Sequence, residues 1–181
     1  MFHDSFEFIT APNAQLVSEA EIVFNRQTKN WKSLTDSFLN VVAVNTKQEV
    51  IGMASIKGSE TQSDYLELGY LFVSSDYRRM GIAAKFTQIR IDYAKKNGVK
   101  VLYAIVEPDN HASINNLDKF GFKYYGTYGH IKGLDLSYDW FALVLDETNP
   151  EYQSGFVTNN LQICRAKSKF SYVVTSRCIN T

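Results

Sequence analysis

Two apolar runs with a one-faced helix between them dominate the middle of the chain. Tyr65–Val73 and Val99–Val106 are rich in aliphatic, β-branched and aromatic residues, which suits strands buried in a sheet. Between them, Ile82, Phe86, Ile89 and Tyr93 recur at steps of four, three and four, so Gly81–Asn97 is predicted to be a helix with one buried face. Lys95 and Lys96 fall in its last turn, where cations suit the helix dipole, and Gly98 supplies the left-handed residue that ends it. Strand, helix and strand in this order form a crossover unit, with the two strands parallel and the helix laid against a sheet face.

The flanks extend that sheet. Ser5–Thr10 reads as a first strand stopped by Pro12, and Ala14–Phe24 as a helix with one buried face. Trp31–Phe38 reads as a second short helix. Leu39–Val44 and Val50–Ile56 are apolar runs joined by a polar stretch, the pattern of an antiparallel hairpin, and Lys57–Asp64 reads as a loop. After the crossover come a short helix at Asn110–Lys119, a tyrosine-rich strand following Phe122, a glycine-rich loop at Gly126–Asp135, and a last strand at Ser137–Leu145. The expected fold is α/β of the α+β type: a mixed, mostly antiparallel central sheet of about seven strands with helices on both faces.

A length of 181 residues suits one such domain, assigned to residues 1–146. Residues 147–181 form a C-terminal extension expected to pack on the domain or on a partner. Strand character at Phe170–Thr175 offers an edge through which two copies would pair as a homodimer. The 19 Lys and Arg balance 19 Asp and Glu, so no global field draws the chain onto nucleic acid or an anionic membrane. No stretch approaches the ~20 apolar residues of a membrane helix. Cys164 and Cys178 lie far from any His, which fits neither a disulfide framework nor a zinc site; they read as free thiols, and no metal is expected. With no basic start and apolar run at the N-terminus, the expected address is cytoplasmic.

Chemistry concentrates where the first crossover strand hands over to the helix, in Val73-Ser-Ser-Asp-Tyr-Arg-Arg-Met-Gly-Ile-Ala-Ala84. The first turn of a helix leaves about four backbone N–H groups without partners, and its dipole adds partial positive charge there. Gly81, Ala83 and Ala84 leave those amides open to an anion, while Arg78 and Arg79 add full charges beside them. The segment lacks the Lys-Ser or Lys-Thr of a nucleotide P-loop and the three spaced glycines of a dinucleotide fingerprint. The alternative is a strand-to-helix turn with solvated arginines. A second segment, Glu107–Phe122, starts at a strand end, offers Asn110 as a helix cap and finishes in Phe-Gly-Phe.

Together the two segments resemble the GNAT superfamily of acyl-CoA N-acetyltransferases. Arg78, Gly81 and Ala83 stand at the fixed places of that family's Arg/Gln-x-x-Gly-x-Gly/Ala loop, and Asn110, Ser113, Gly121 and Phe122 match its Asn-x-x-Ala/Ser helix ending in Gly-Phe. The resemblance implies that acetyl-CoA is the cosubstrate. Main-chain amides of Arg79, Met80, Gly81, Ile82, Ala83 and Ala84 would hold its pyrophosphate. Leu71, Phe72 and Val73 would pair with its pantetheine arm as an added strand, and Asn110 and Ser113 would contact arm and phosphates. A splay between the two parallel strands would admit the thioester, with a backbone N–H near Leu71 polarising its carbonyl.

The implied reaction is direct attack of an amine, small-molecule or protein, on the thioester. An amine of pKa near 10.4 is unprotonated in about 1 part in 2,500 at pH 7, which adds roughly 4.6 kcal/mol to the barrier unless a base removes the proton. Glu67, six residues before Val73, is the candidate base; its alternative is a strand Glu facing solvent. Tyr70 is the other candidate on this strand, but strict alternation points it away from Glu67 unless a bulge intervenes, which favours core packing. Family members often carry a thiolate-protonating Tyr where this sequence has Leu117. That substitution leaves water, or one of Tyr124, Tyr125, Tyr128 and His130, to protonate the sulfur, and leaves open a non-catalytic acyl-CoA-binding module. His130 and Tyr128, beside the glycine-rich loop, are the candidate contacts to the acceptor.

Overall fold

The computed structural model describes residues 5–28, 37–58, 64–128, 137–149 and 152. Its elements in chain order are β1 (Phe6–Ile9), α1 (Ala14–Thr28), β2 (Ser37–Asn45), β3 (Val50–Gly58), β4 (Tyr65–Val73), a 3-10 turn (Ser75–Tyr77), α2 (Ile82–Lys96), β5 (Val101–Val106), α3 (His111–Asp118), β6 (Lys123–Tyr128) and β7 (Tyr138–Val144). The strands form one seven-stranded sheet in the order β1-β2-β3-β4-β5-β7-β6, antiparallel throughout except for the parallel pair β4 and β5. The expected crossover and the expected mixed sheet are both present.

Each face of the sheet carries its own core. On one, Ile56, Leu66, Leu68, Leu102 and Ala104 pack against Ile91 and Ala94 of α2 and Leu117 of α3, while Val41, Ala43, Ile51 and Ala54 meet Ile82 and Phe86. On the other, Val42, Val44, Met53 and Phe72 pack against Ala20 and Phe24 of α1. The buried stripe of α2 is Ile82, Phe86, Thr87, Arg90, Ile91 and Ala94, turned slightly from the Ile82, Phe86, Ile89, Tyr93 stripe expected. Its end is as expected: Gly98 has φ of 71° and the Val99 amide donates back to the Ala94 carbonyl at 3.0 Å.

Several sequence-based boundaries shift. α1 runs four residues past Phe24, and β3 takes in Lys57 and Gly58, which were assigned to a loop. Of the helix expected at Trp31–Phe38, residues 31–36 lie outside the described residues, and Ser37 and Phe38 open β2 instead. Gly126–Tyr128 extend β6, while the rest of the glycine-rich loop, with His130 and Asp135, lies outside the described residues. Of the C-terminal extension, Tyr152 packs its ring 6.1 Å from that of Tyr65, and its hydroxyl donates to Asp64 Oδ2 at 3.2 Å. Cys164, Cys178 and Phe170–Thr175 lie outside the described residues.

Two irregularities in β4 position everything that follows. Its pairing with β5 covers only Tyr65 with Val101, Leu66 with Leu102 and Glu67 with Tyr103, after which the strands part, while β5 stays paired with β7 as far as Val106. On its other side, Gly69 opposes Ser55 but Phe72 opposes Met53, so Tyr70 and Leu71 together face Ala54. This is a bulge with one extra residue, and Tyr70 takes a left-handed φ of 50° to accommodate it. Alternation resets there: Leu66 and Leu68 face α2, yet Tyr70 and Phe72 face α1.

Candidate functional site

The turn from β4 to α2 is built for open amides. Arg79 and Gly81 both adopt left-handed φ, 64° and 83°, an alternation that points successive N–H groups into a shared concavity of the kind that binds anions. A non-glycine residue held left-handed costs roughly 1–2 kcal/mol, so the loop keeps Arg79 there against local preference. Gly81 caps α2 without a side-chain hydrogen bond, and an added Cβ there would meet no atom within 4 Å. Arg78 turns back, its Nε donating to the Val73 carbonyl at 3.1 Å, which closes the loop on the strand.

These groups wall a groove of about 1120 Å³ between β4, the turn, α2 and α3. Leu71, Phe72, Val73, Arg78, Arg79, Gly81, Ile82, Ala83, Ala84, Asn110 and Ser113 all line it. Met80 does not, although its side chain is exposed. Asn115, Asn116 and Lys119, not singled out from the sequence, complete the α3 side. Their signal was periodicity, since the helix face that carries Ser113 carries Asn116 one turn later.

Asn110 has a structural task as well. Its Oδ1 accepts from the Ser113 amide at 3.1 Å and caps α3, so that carbonyl oxygen and that amide are already committed to each other. Asn110→Ala is expected to lower stability by about 1 kcal/mol in denaturant titration. It should also raise the dissociation constant of any ligand in the groove, because α3 forms one wall.

On the α1 face the bulge gathers a second cluster. Glu67, Lys57 and Tyr70 lie on the same face, against the expectation from alternation that Tyr70 points away from Glu67; the extra residue at the bulge is the physical reason. Glu67 is 7% exposed, which removes its solvent-facing alternative. Lys57 opposes Glu67 across the β3–β4 ladder and holds its Nζ 3.6 Å from the Tyr70 ring centroid. Such a contact is worth about 0.5–2 kcal/mol depending on desolvation. Tyr103 opposes Glu67 from β5 and stacks on Trp140 at 5.7 Å between centroids. Ser55 Oγ, fully buried opposite Gly69, has no hydrogen-bond partner among the described residues. Sequence reading missed Lys57, Tyr103 and Ser55 because only strand register brings them to Glu67.

The other sequence candidates separate. Leu117 is 5% exposed in the core below α3, so that position presents only hydrocarbon. Tyr124 is exposed and its hydroxyl shares a 2.6 Å hydrogen bond with Thr127, which donates to Asp139. Tyr125 packs beside the Tyr103 and Trp140 cluster, where burial pushes its hydroxyl pKa up and keeps its proton on. His111 is exposed at the start of α3. Tyr128 ends β6, and His130 lies outside the described residues. No group of three or more metal-ligating side chains occurs among the described residues. No helix among them is long and apolar enough to cross a membrane.

Beneath the groove, α2 buries a guanidinium. Arg90, 2% exposed, donates to the Phe86 carbonyl at 3.2 Å, the Ser55 carbonyl at 3.5 Å and Thr87 Oγ1 at 3.1 Å, with no acidic partner among the described residues. Thr87 in turn accepts from Asn116 of α3 and donates to the Ala83 carbonyl in the first turn of α2. The network ties both groove-lining helices to β3. Burial pulls the Arg90 pKa well below the usual guanidinium value, down to about 9. Below that value the cation is present in both folded and unfolded chains; above it, the unfolded chain holds the extra proton and folding gains. Arg90→Met, which keeps volume and removes the charge, is expected to be more stable than the parent by about 1 kcal/mol at neutral pH. Denaturation at several pH values should show that advantage narrowing as pH rises through about 9.

Comparison with known proteins follows this geometry. The sequence profile described as the acetyltransferase (GNAT) family matches residues 7–122 of the 181. The Salmonella typhimurium protein yncA, solved with its cofactor acetyl-CoA, superposes with a TM-score of 0.64 at 20% identity over 80% of this chain and 96% of its own. NAA60 of Arabidopsis thaliana, solved with a bisubstrate analogue, gives 0.65 at 17% identity over 78% and 99%. The ribosomal-protein-S5-alanine acetyltransferase of Vibrio fischeri gives 0.64 at 18% identity over 83% and 98%. At these identities the superpositions show a shared fold. No curated protein matches by sequence.

Proposed function

Because the chain belongs to the GNAT family of acetyltransferases, we propose that it transfers the acetyl group of acetyl-CoA to a primary amine by direct attack, with residues 1–146 as the transferase domain and 147–181 as an appended segment. The observation that carries this proposal is the parting of β4 from β5 after Glu67, beside a groove walled by the open start of α2. Amides from Arg79 to Ala84 hold the pyrophosphate, and Arg78 braces their loop. The edge of β4 at Leu71, Phe72 and Val73, bare of β5, pairs with the pantetheine arm. The acetyl end then reaches the bulge, where a β4 amide beside Tyr70 polarises the thioester oxygen and Glu67 takes the ammonium proton from the α1 side.

The acceptor is an amine of a small molecule or a protein; the fold neighbours include a ribosomal-protein acetyltransferase and a protein bound to a bisubstrate analogue. Tyr128 and His130 are its proposed contacts. With Leu117 in the core, the thiolate takes its proton from water, since a thiol of reference pKa near 8.5 leaves as a fairly stable anion. The reaction needs no metal, and the zero net charge favours no nucleic-acid partner. Two cysteines late in the chain and far from any His, read as free thiols, favour a cytoplasmic address.

Isothermal titration with acetyl-CoA is expected to give micromolar binding, and thiol release across an amine panel to give a product gaining one acetyl group by mass spectrometry. No heat at millimolar coenzyme overturns the proposal. Binding without thiol release across a broad panel would instead assign the chain as a non-catalytic acyl-CoA sensor, the reading favoured by the apolar residue at Leu117.

A further inference from the structure

We propose that the chain acetylates itself at Lys57, a reaction that rests on acetyl-CoA binding as described above. Lys57 is the β3 residue opposite Glu67, and Glu67 is the last β4 residue paired to β5 before the strands part. The lysine side chain does not run outward from that position. It lies along Gly69, so closely that a Cβ on Gly69 would fall 2.7 Å from Lys57 Cε. Its Nζ ends over the ring of Tyr70, the bulge residue that precedes the groove-lining Leu71. A primary amine of the protein itself therefore lies on the face of the candidate base, over the residue that precedes the strand edge assigned to the thioester arm.

The chemistry balances with acetyl-CoA as the one co-reactant. Glu67 takes a proton from the Lys57 ammonium, directly or through a water. The freed nitrogen lone pair forms the N–C bond to the thioester carbonyl, the C–S bond breaks, the sulfur leaves with the electron pair, and the second proton lost by the nitrogen passes to it through water to give the thiol, while Glu67 returns its proton to solvent. The product is Nε-acetyl-Lys57, which has lost the cation held over Tyr70 and places an amide where an acceptor amine would stand. An acceptor in excess is expected to protect Lys57, and prior modification to slow transfer to that acceptor.

Purified full-length protein incubated with acetyl-CoA, then digested and read by mass spectrometry, tests this. Lys57 is expected to gain one acetyl group faster than the exposed Lys85 and Lys95 of α2, at a rate independent of protein concentration. Gly81→Glu should reduce Lys57 to the rate of Lys95, and Glu67→Gln should slow it at least about tenfold. Gly69→Ala, which needs only the flexible lysine tip to move, should slow it while leaving coenzyme binding intact. A protein that binds acetyl-CoA by calorimetry yet modifies Lys57 no faster than Lys95 overturns the inference and leaves the transferase proposal standing. No heat with acetyl-CoA removes both together.

Discussion

Glu67→Gln is expected to lower kcat by about 10²–10⁴-fold while the calorimetric affinity for acetyl-CoA stays near that of the parent. Glu67 sits on the α1 face, at the point where β4 and β5 part, whereas the groove lies on the side of α2 and α3. Glutamine keeps the size and hydrogen-bonding capacity of the side chain but cannot take a proton. The variant's rate should then track the fraction of acceptor that is already unprotonated, rising about tenfold per pH unit up to the pKa of the amine. A stopped assay across pH with a fixed acceptor checks both outcomes. An unchanged kcat would assign Glu67 to the β3–β4 packing alone.

Gly81→Glu should abolish coenzyme binding, raising the dissociation constant by at least about 100-fold, which is about 2.7 kcal/mol. Two effects act together. The new carboxylate stands at the start of α2, where a pyrophosphate would sit, and like charges a few ångströms apart cost about 1–4 kcal/mol in partly exposed surroundings. The residue must also hold φ near 83°, which side chains resist. Gly81→Ala separates the two, because its Cβ meets open space and only the backbone cost remains. It is expected to lose about 1 kcal/mol of stability and to bind acetyl-CoA within about tenfold of the parent. Equal loss of binding in both variants would mean that loop conformation, and not the anion site, decides affinity.

Much of the fold was legible because its signals are local. The crossover followed from apolar runs on either side of a 3.6-residue period, and the Gly98 terminus from its position after two lysines. The open turn before α2 followed from small residues at a helix start. The bulge at Tyr70 was not legible. β4 reads as an apolar run with no mark at Tyr70, and only pairing with β3 reveals that two of its residues answer one. That single feature also hid the cluster of Glu67, Lys57 and Tyr70, since residues on different strands meet through register and not through spacing. Arg90 was missed for another reason. A cation at a helical core position contradicts its usual place at the surface, and the Phe86 and Ser55 carbonyls with Thr87 make its burial tolerable.

Because the five β4 residues Leu68–Phe72 answer only the four β3 residues Met53–Ile56, the effect of shortening β4 depends on which residue is lost. Deleting Leu71 would straighten the strand and turn Tyr70 to the opposite side of the sheet, parting it from Glu67, whereas deleting Gly69 would straighten it with Tyr70 still on the side of Glu67. A deletion library walked along the gene should therefore give soluble, active clones at the β2–β3 turn around Thr46 and Lys47. Within Leu68–Phe72 it should give folded clones for loss of Gly69, with activity falling furthest for loss of Leu71.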